Sequence, residues 1–134
     1  MFLLLVLLVS LFALHPAGAA PDGAEALAKV GPELRALYGS YRMAQEQGRP
    51  LHVTDPMIQI VEDRVVVDAV ASGDVGALRD RLLALGMRSA ATAGRIVSGE
   101  LPIDQIAAMA ALPELRFARN AISTNRGGRT KGTP

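Results

Sequence analysis

Three groups of residues in this chain have side chains of the types that carry chemistry. The first is a histidine, an aspartate and a serine. His52 is the one histidine beyond His15, and a Ser-His-Asp triad would combine it with Asp68 and Ser98. In such a triad the imidazole takes the serine proton and the carboxylate orients the imidazole. The context of Ser98, Gly94-Arg95-Ile96-Val97-Ser98-Gly99, does not fit the G-x-S-x-G pattern that exposes a nucleophile on a sharp turn. The second group is the same six residues read as the first half of a phosphate-binding loop. Glu100-Leu101 stand where that loop needs a lysine and a hydroxyl residue, so no phosphate cradle is expected. Residues 94–99 read more simply as a turn between a strand and a helix. The third group is His52, Asp55, Glu62 and Asp63. One histidine with acids scattered over turns is not a zinc ligand set. The residues therefore predict no catalytic, cofactor or metal site, and a hydrolase using His52 is a remote reading.

Asp68 is the informative residue of these. It stands alone in a valine-rich run, Val65-Val66-Val67-Asp68-Ala69-Val70. With strand alternation it shares a face with Val66 and Val70, opposite Val65 and Val67. An unpaired carboxylate sealed in a core would be costly. Asp68 is therefore either exposed or paired, with Arg95 and Arg116 as the expected partners. An exposed sheet face that carries valines and a few charges has the character of a protein-binding surface.

The elements that position these residues follow from periodicity and punctuation. Pro32 and Glu33 start a helix, with the acid near the positive end of its dipole. Leu34, Leu37, Tyr38, Tyr41 and Ala44 form its apolar face, and Gly48-Arg49-Pro50 stops it. Met57, Ile58, Ile60 and Val61 precede Glu62-Asp63, and residues 64–71 follow as a β-branched run, so a hairpin is expected. Glu-Asp is not the preferred Asn-Gly, which leaves the turn geometry open. Asp74 caps a helix over residues 75–85 with Leu78, Leu82 and Leu85 inward, and Gly86 supplies the left-handed C-cap. Residues 87–92 and 95–97 read as two short strands, with Ser98-Gly99 as a turn or bulge. Pro102 starts a second helix with Ile103, Ile106, Ala107 and Ala110 on one face, and Pro113 ends it. In the last strand Leu115 and Phe117 point one way, Arg116 and Ala118 the other. Pro-Glu-Leu-Arg occurs at Pro32 and at Pro113, in a helix and a strand respectively, and is read as chance rather than as a repeat.

From Arg64 the order is strand, helix, strand, strand, helix, strand. This is the split βαβ, ferredoxin-like plan of an α+β protein: an antiparallel sheet with two helices on one face. An N-terminal helix and an extra strand are added to it. The domain layout expected is a signal peptide over 1–19, a flexible linker over 20–31, one domain over 32–122 with its ferredoxin-like core at 64–119, and a disordered basic tail over 123–134.

The leader expectation rests on the run from Phe2 to Leu14, which is apolar but shorter than the ~20 residues that span a bilayer. Ala17-x-Ala19 then offers the small-x-small pattern of a signal-peptidase site. A secreted, periplasmic or cell-surface location follows, with no membrane contact after cleavage. The chain has no cysteine, so packing alone must stabilise it. Three of its fourteen bases, Arg126, Arg129 and Lys131, lie in the acid-free tail, leaving eleven bases against thirteen acids elsewhere. That balance offers no basic face for nucleic acid.

Two segments carry a family resemblance. One is Val65-Val66-Val67-Asp68-Ala69-Val70-Ala71-Ser72-Gly73-Asp74 with Leu78 and Leu82-Leu83-Ala84-Leu85-Gly86. The other is Gly94-Arg95-Ile96-Val97-Ser98-Gly99-Glu100-Leu101-Pro102-Ile103 with Leu112-Pro113-Glu114-Leu115-Arg116-Phe117-Ala118-Arg119. Together they resemble the N-terminal pro-region of secreted bacterial subtilisin-like (subtilase) proteins. The resemblance implies a non-catalytic module that assists folding of a subtilisin-like serine protease or inhibits it. It implies that Val66, Asp68, Val70, Arg116 and Ala118 belong to the partner-binding sheet face. It also implies that Asn120, Ala121, Ile122, Ser123, Thr124 and Asn125 form an extension lying in the protease cleft. The family pattern continues into a protease domain, and the residues to Pro134 hold none, so none is expected of this chain. The expectation is therefore either a truncated or frame-shifted pro-region or a module acting in trans. The alternative is a structural or adhesive module of a bacterial cell-surface protein.

Overall fold

A computed structural model describes residues 23–122, so the signal-peptide and basic-tail expectations lie outside the described residues. The elements in chain order are α1 (Gly23–Leu27), α2 (Pro32–Glu46), β1 (Ile60–Val61), β2 (Arg64–Ala71), α3 (Val75–Ala84), β3 (Arg88–Ala93), β4 (Ile96–Pro102), a 3-10 turn (Ile103–Gln105), α4 (Ile106–Ala110) and β5 (Leu115–Asn120). The protein is α+β, and its five-stranded antiparallel sheet is compatible with the ferredoxin-like plan. β4 lies between β3 and β2, and β5 pairs with the other edge of β2.

The place of the extra strand is settled by the register along β2. β5 pairs with Val67 to Ala71, while β1 pairs with Arg64 and Val65 on the same edge. The two meet at Val66, whose N–H donates to the Gln59 carbonyl (3.2 Å) and whose carbonyl accepts from the Ala121 N–H (2.9 Å). One edge thus serves two short strands end to end. The β1–β2 turn places Glu62 and Asp63 at φ 49° and 59°. Positive φ at both central residues of a two-residue hairpin loop is the pattern of a type I′ turn, which suits the twist of the strands even without Asn-Gly.

Alternation divides the sheet into two faces. Val65, Val67, Ala69 and Ala71 of β2 and Val97 and Leu101 of β4 are buried with Leu78 and Leu82 of α3 and Ile106 and Met109 of α4. α3 starts as expected, with the Asp74 carboxylate accepting from the Gly76 N–H at 2.8 Å. It ends in a Schellman motif: Gly86 (φ 91°) donates to the Leu83 carbonyl and Met87 to that of Leu82.

Three expectations are corrected here. β4 is a continuous strand to Pro102 with no turn at Ser98-Gly99, and β3 and β4 join, near the expected Ala93-Gly94, through Gly94 (φ 58°) and Arg95. Glycine at the first central position of a two-residue hairpin loop is the type II′ signature. Gly99 is therefore a strand residue, and its missing side chain admits a close neighbour: a Cβ there would lie 2.8 Å from both the Arg88 carbonyl oxygen and the Met87 sulfur. The helix after Pro102 begins as a 3-10 turn and is short, because Pro102 itself is still paired with Arg64. Finally, the part of the 20–31 segment that is described is not a linker. It holds α1, buries Ala26 and Val30, and pairs along the outer edge of β5, with Gly31 N–H to Ala118 O and Ala118 N–H to Lys29 O both at 2.8 Å. Lys29 Nζ also donates to the carbonyls of Leu112 (2.7 Å) and Leu115 (3.2 Å), just beyond α4.

α2 packs against β5, the 3-10 turn and α4, burying Leu34 and Leu37 in the same core. It belongs to the helical side of the sheet. No helix among the described residues is long and apolar enough to cross a membrane.

A candidate partner-binding face

The sheet surface away from the helices presents Val66, Asp68 and Val70 from β2 and Ile96, Ser98 and Glu100 from β4, all half-buried. Asp68 organises its centre. Ser98 lies directly across from it on β4 and donates its hydroxyl to Asp68 Oδ1 at 2.5 Å. Arg119 lies directly across on β5, its Nε 3.8 Å from Asp68 Oδ2. The carboxylate is thus held from both neighbouring strands, one oxygen each. Of the two expected alternatives, exposed or paired, Asp68 is paired, but not by the residues named for it. Arg95 sits past the end of the β2–β4 ladder and donates to the carbonyls of Ala71 (3.0 Å) and Ser72 (2.8 Å). Arg116 is displaced by an irregularity in β5.

That irregularity corrects the expected face. Val70 pairs with Phe117 and Ala71 with Leu115, so Arg116 is an extra residue on β5, a β-bulge. Before the bulge Leu115 points into the core. After it the alternation is inverted: Ala118 and Asn120 are buried, while Phe117 and Arg119 point outward. Ala118 is therefore a core residue opposite Ala69 rather than a residue of the outer face. Phe117 takes the place assigned to Ala118, and strict alternation along Leu115-Arg116-Phe117-Ala118 could not have found it. Val66, Asp68 and Val70 do share one face, as expected.

The first two residues assigned to the expected cleft-lying extension, Asn120 and Ala121, are still held by the sheet. Asn120 is the last residue of β5, only 6% exposed, and its amide donates to the Met57 carbonyl at 3.4 Å. The Ala121 N–H still bonds to β2. Ile122, 55% exposed, is the first residue free of the sheet. Ser123, Thr124 and Asn125 lie outside the described residues.

His52, Asp68 and Ser98 are not brought together as a triad. Asp68 and Ser98 bond to one another, while His52 lines a separate cavity of about 140 Å³ with Glu33, Ser40 and Asp55. Asp55 is occupied in a turn, accepting from the Met57 N–H at 2.9 Å. Glu62 pairs with Arg88 at 3.6 Å, and Asp63 lines a groove beside Tyr41 and Arg49. Among the described residues no group of three histidine and carboxylate side chains gathers where it could hold a metal ion.

No family model, curated protein or solved structure matches this chain.

Proposed function

We propose that the chain is an exported, non-catalytic protein-binding module of the subtilase pro-region type. Its outer sheet face docks on a subtilisin-like serine protease, which it helps to fold or inhibits. The observation that supports this reading is the outer face itself. Val66, Val70, Ile96 and Phe117 present apolar surface around an Asp68–Ser98–Arg119 centre, while α2, α3 and α4 pack on the opposite side. A two-layer domain that leaves one sheet face half-exposed and apolar has a surface suited to a second protein.

The alternative, a structural or adhesive module, would be favoured by α2 lying over this face and closing the domain. α2 instead packs with α4 and the 3-10 turn.

The test is an enzyme assay. The full chain, added to a secreted subtilisin-like protease of the source organism, should slow peptide hydrolysis or raise the yield of active protease on refolding. Absence of both effects with every such protease would overturn the proposal.

A further inference from the structure

The bulge at Arg116 has an energetic consequence. With regular alternation Phe117 would follow Leu115 into the core, where burial of its ring would stabilise the fold. The bulge turns it outward instead, leaving it 40% exposed. Of the six large apolar side chains exposed among the described residues, Phe117 is the aromatic one. It is flanked by two exposed guanidiniums. Arg116 makes no hydrogen bond or ion pair among the described residues, and Arg119 is more than half exposed and held only by the 3.8 Å contact with Asp68. By contrast Arg64, on the same face of β2, donates to the Glu100 backbone carbonyl. An aromatic ring between two arginines is the composition of a binding hot spot. A bulge that re-aims a side chain is a recurrent feature beside functional sites.

We infer that Phe117 is the anchor of the docking face, and that its partner is a protein surface with an apolar recess rimmed by carboxylates that meet Arg116 and Arg119. The inference deepens the proposed function by naming the chemistry of the complementary surface. The ring supplies desolvated contact area, and the arginines steer and orient the encounter. A carboxylate accepts two parallel N–H bonds from a guanidinium, and a partner with basic residues at these positions is repelled.

The test uses the full chain and the secreted subtilisin-like proteases of the source organism, with binding read by calorimetry. Phe117→Ala should weaken binding about thirtyfold, the scale of a hot-spot truncation. Arg116→Glu should weaken it by about tenfold at low salt and by less as salt rises, because the charge is at the rim. Arg116 is exposed and makes no hydrogen bond or ion pair among the described residues, so this variant leaves the fold intact and tests the face independently of Phe117→Ala. A protease that binds the chain but is indifferent to both changes overturns this inference and leaves the proposed function standing. If no protease binds, the proposed function falls, and the anchor is tested separately with p-benzoylphenylalanine at position 117 in living cells. A single cross-linked partner, lost with Arg116→Glu, supports the inference. Cross-linking no different from that at the edge-strand position Thr92 overturns it.

Discussion

Gly99 of β4 faces Met87, with room for hydrogen only: a Cβ at Gly99 would stand 2.8 Å from the Met87 sulfur and 2.8 Å from the carbonyl oxygen of Arg88. The contact lies where β3 departs from regular pairing, between Arg88 and Ala91, and where Ser89 adopts φ 53°. Gly99→Ala should therefore destabilise the domain by about 1–3 kcal/mol, the cost of overpacking a tight core. Met87→Ala in the same chain should recover only part of this, since one of the two clashes is with backbone. Denaturant titration checks both, and a neutral Gly99→Ala would show that the strands do not approach as described.

The type I′ turn between β1 and β2 carries two non-glycine residues at positive φ, Glu62 and Asp63. Replacing them with Asn-Gly should raise stability by about 1 kcal/mol, because those residues suit the turn. The Glu62–Arg88 pair lost in the exchange has side chains 79% and 60% exposed, so its loss should weigh little. For a domain of ~100 residues, 1 kcal/mol is a rise in Tm of roughly 4–8 °C.

Asp74 caps α3 through the Gly76 N–H. Asp74→Ala should cost about 1 kcal/mol, and Asp74→Ser or Asp74→Asn should restore most of it. The same titration applies, and an Asp74→Ala variant of unchanged midpoint would remove the cap from the account.

The Asp68–Ser98 hydrogen bond should show as coupling. In a double-mutant cycle with alanine at both positions, the interaction energy should be about 1 kcal/mol. Additive losses would mean that the two residues do not share a bond.

Much of the fold was legible in the sequence because local signals and burial agree there. Asp74 and Gly86 bracket α3, β2 alternates valines with Asp68, and the order of elements dictates the split βαβ plan. What was not legible depends on contacts between distant segments. Gly99 looked like a turn because a strand glycine shows its purpose only when Met87 and the Arg88 carbonyl are seen against it. The role of residues 29–31 required the edge of β5, nearly ninety residues away in sequence. At the candidate face, Asp68 and its half-exposed character followed from alternation alone. The β5 contribution did not, since one bulged residue inverts every side chain beyond it. Phe117 and Arg119 were thereby missed, and Ala118 was assigned to the wrong side.

The central claim is that the outer sheet face is the working surface of the protein. It is tested most directly by Ile96→Glu, a substitution on that face, across from Val70 at the end of the β2–β4 ladder and outside the helical core. The account predicts that this variant keeps its Tm within a few degrees, yet loses inhibition of, or folding assistance to, the subtilisin-like protease by about tenfold or more. Full retention of that effect by a folded Ile96→Glu chain would contradict it.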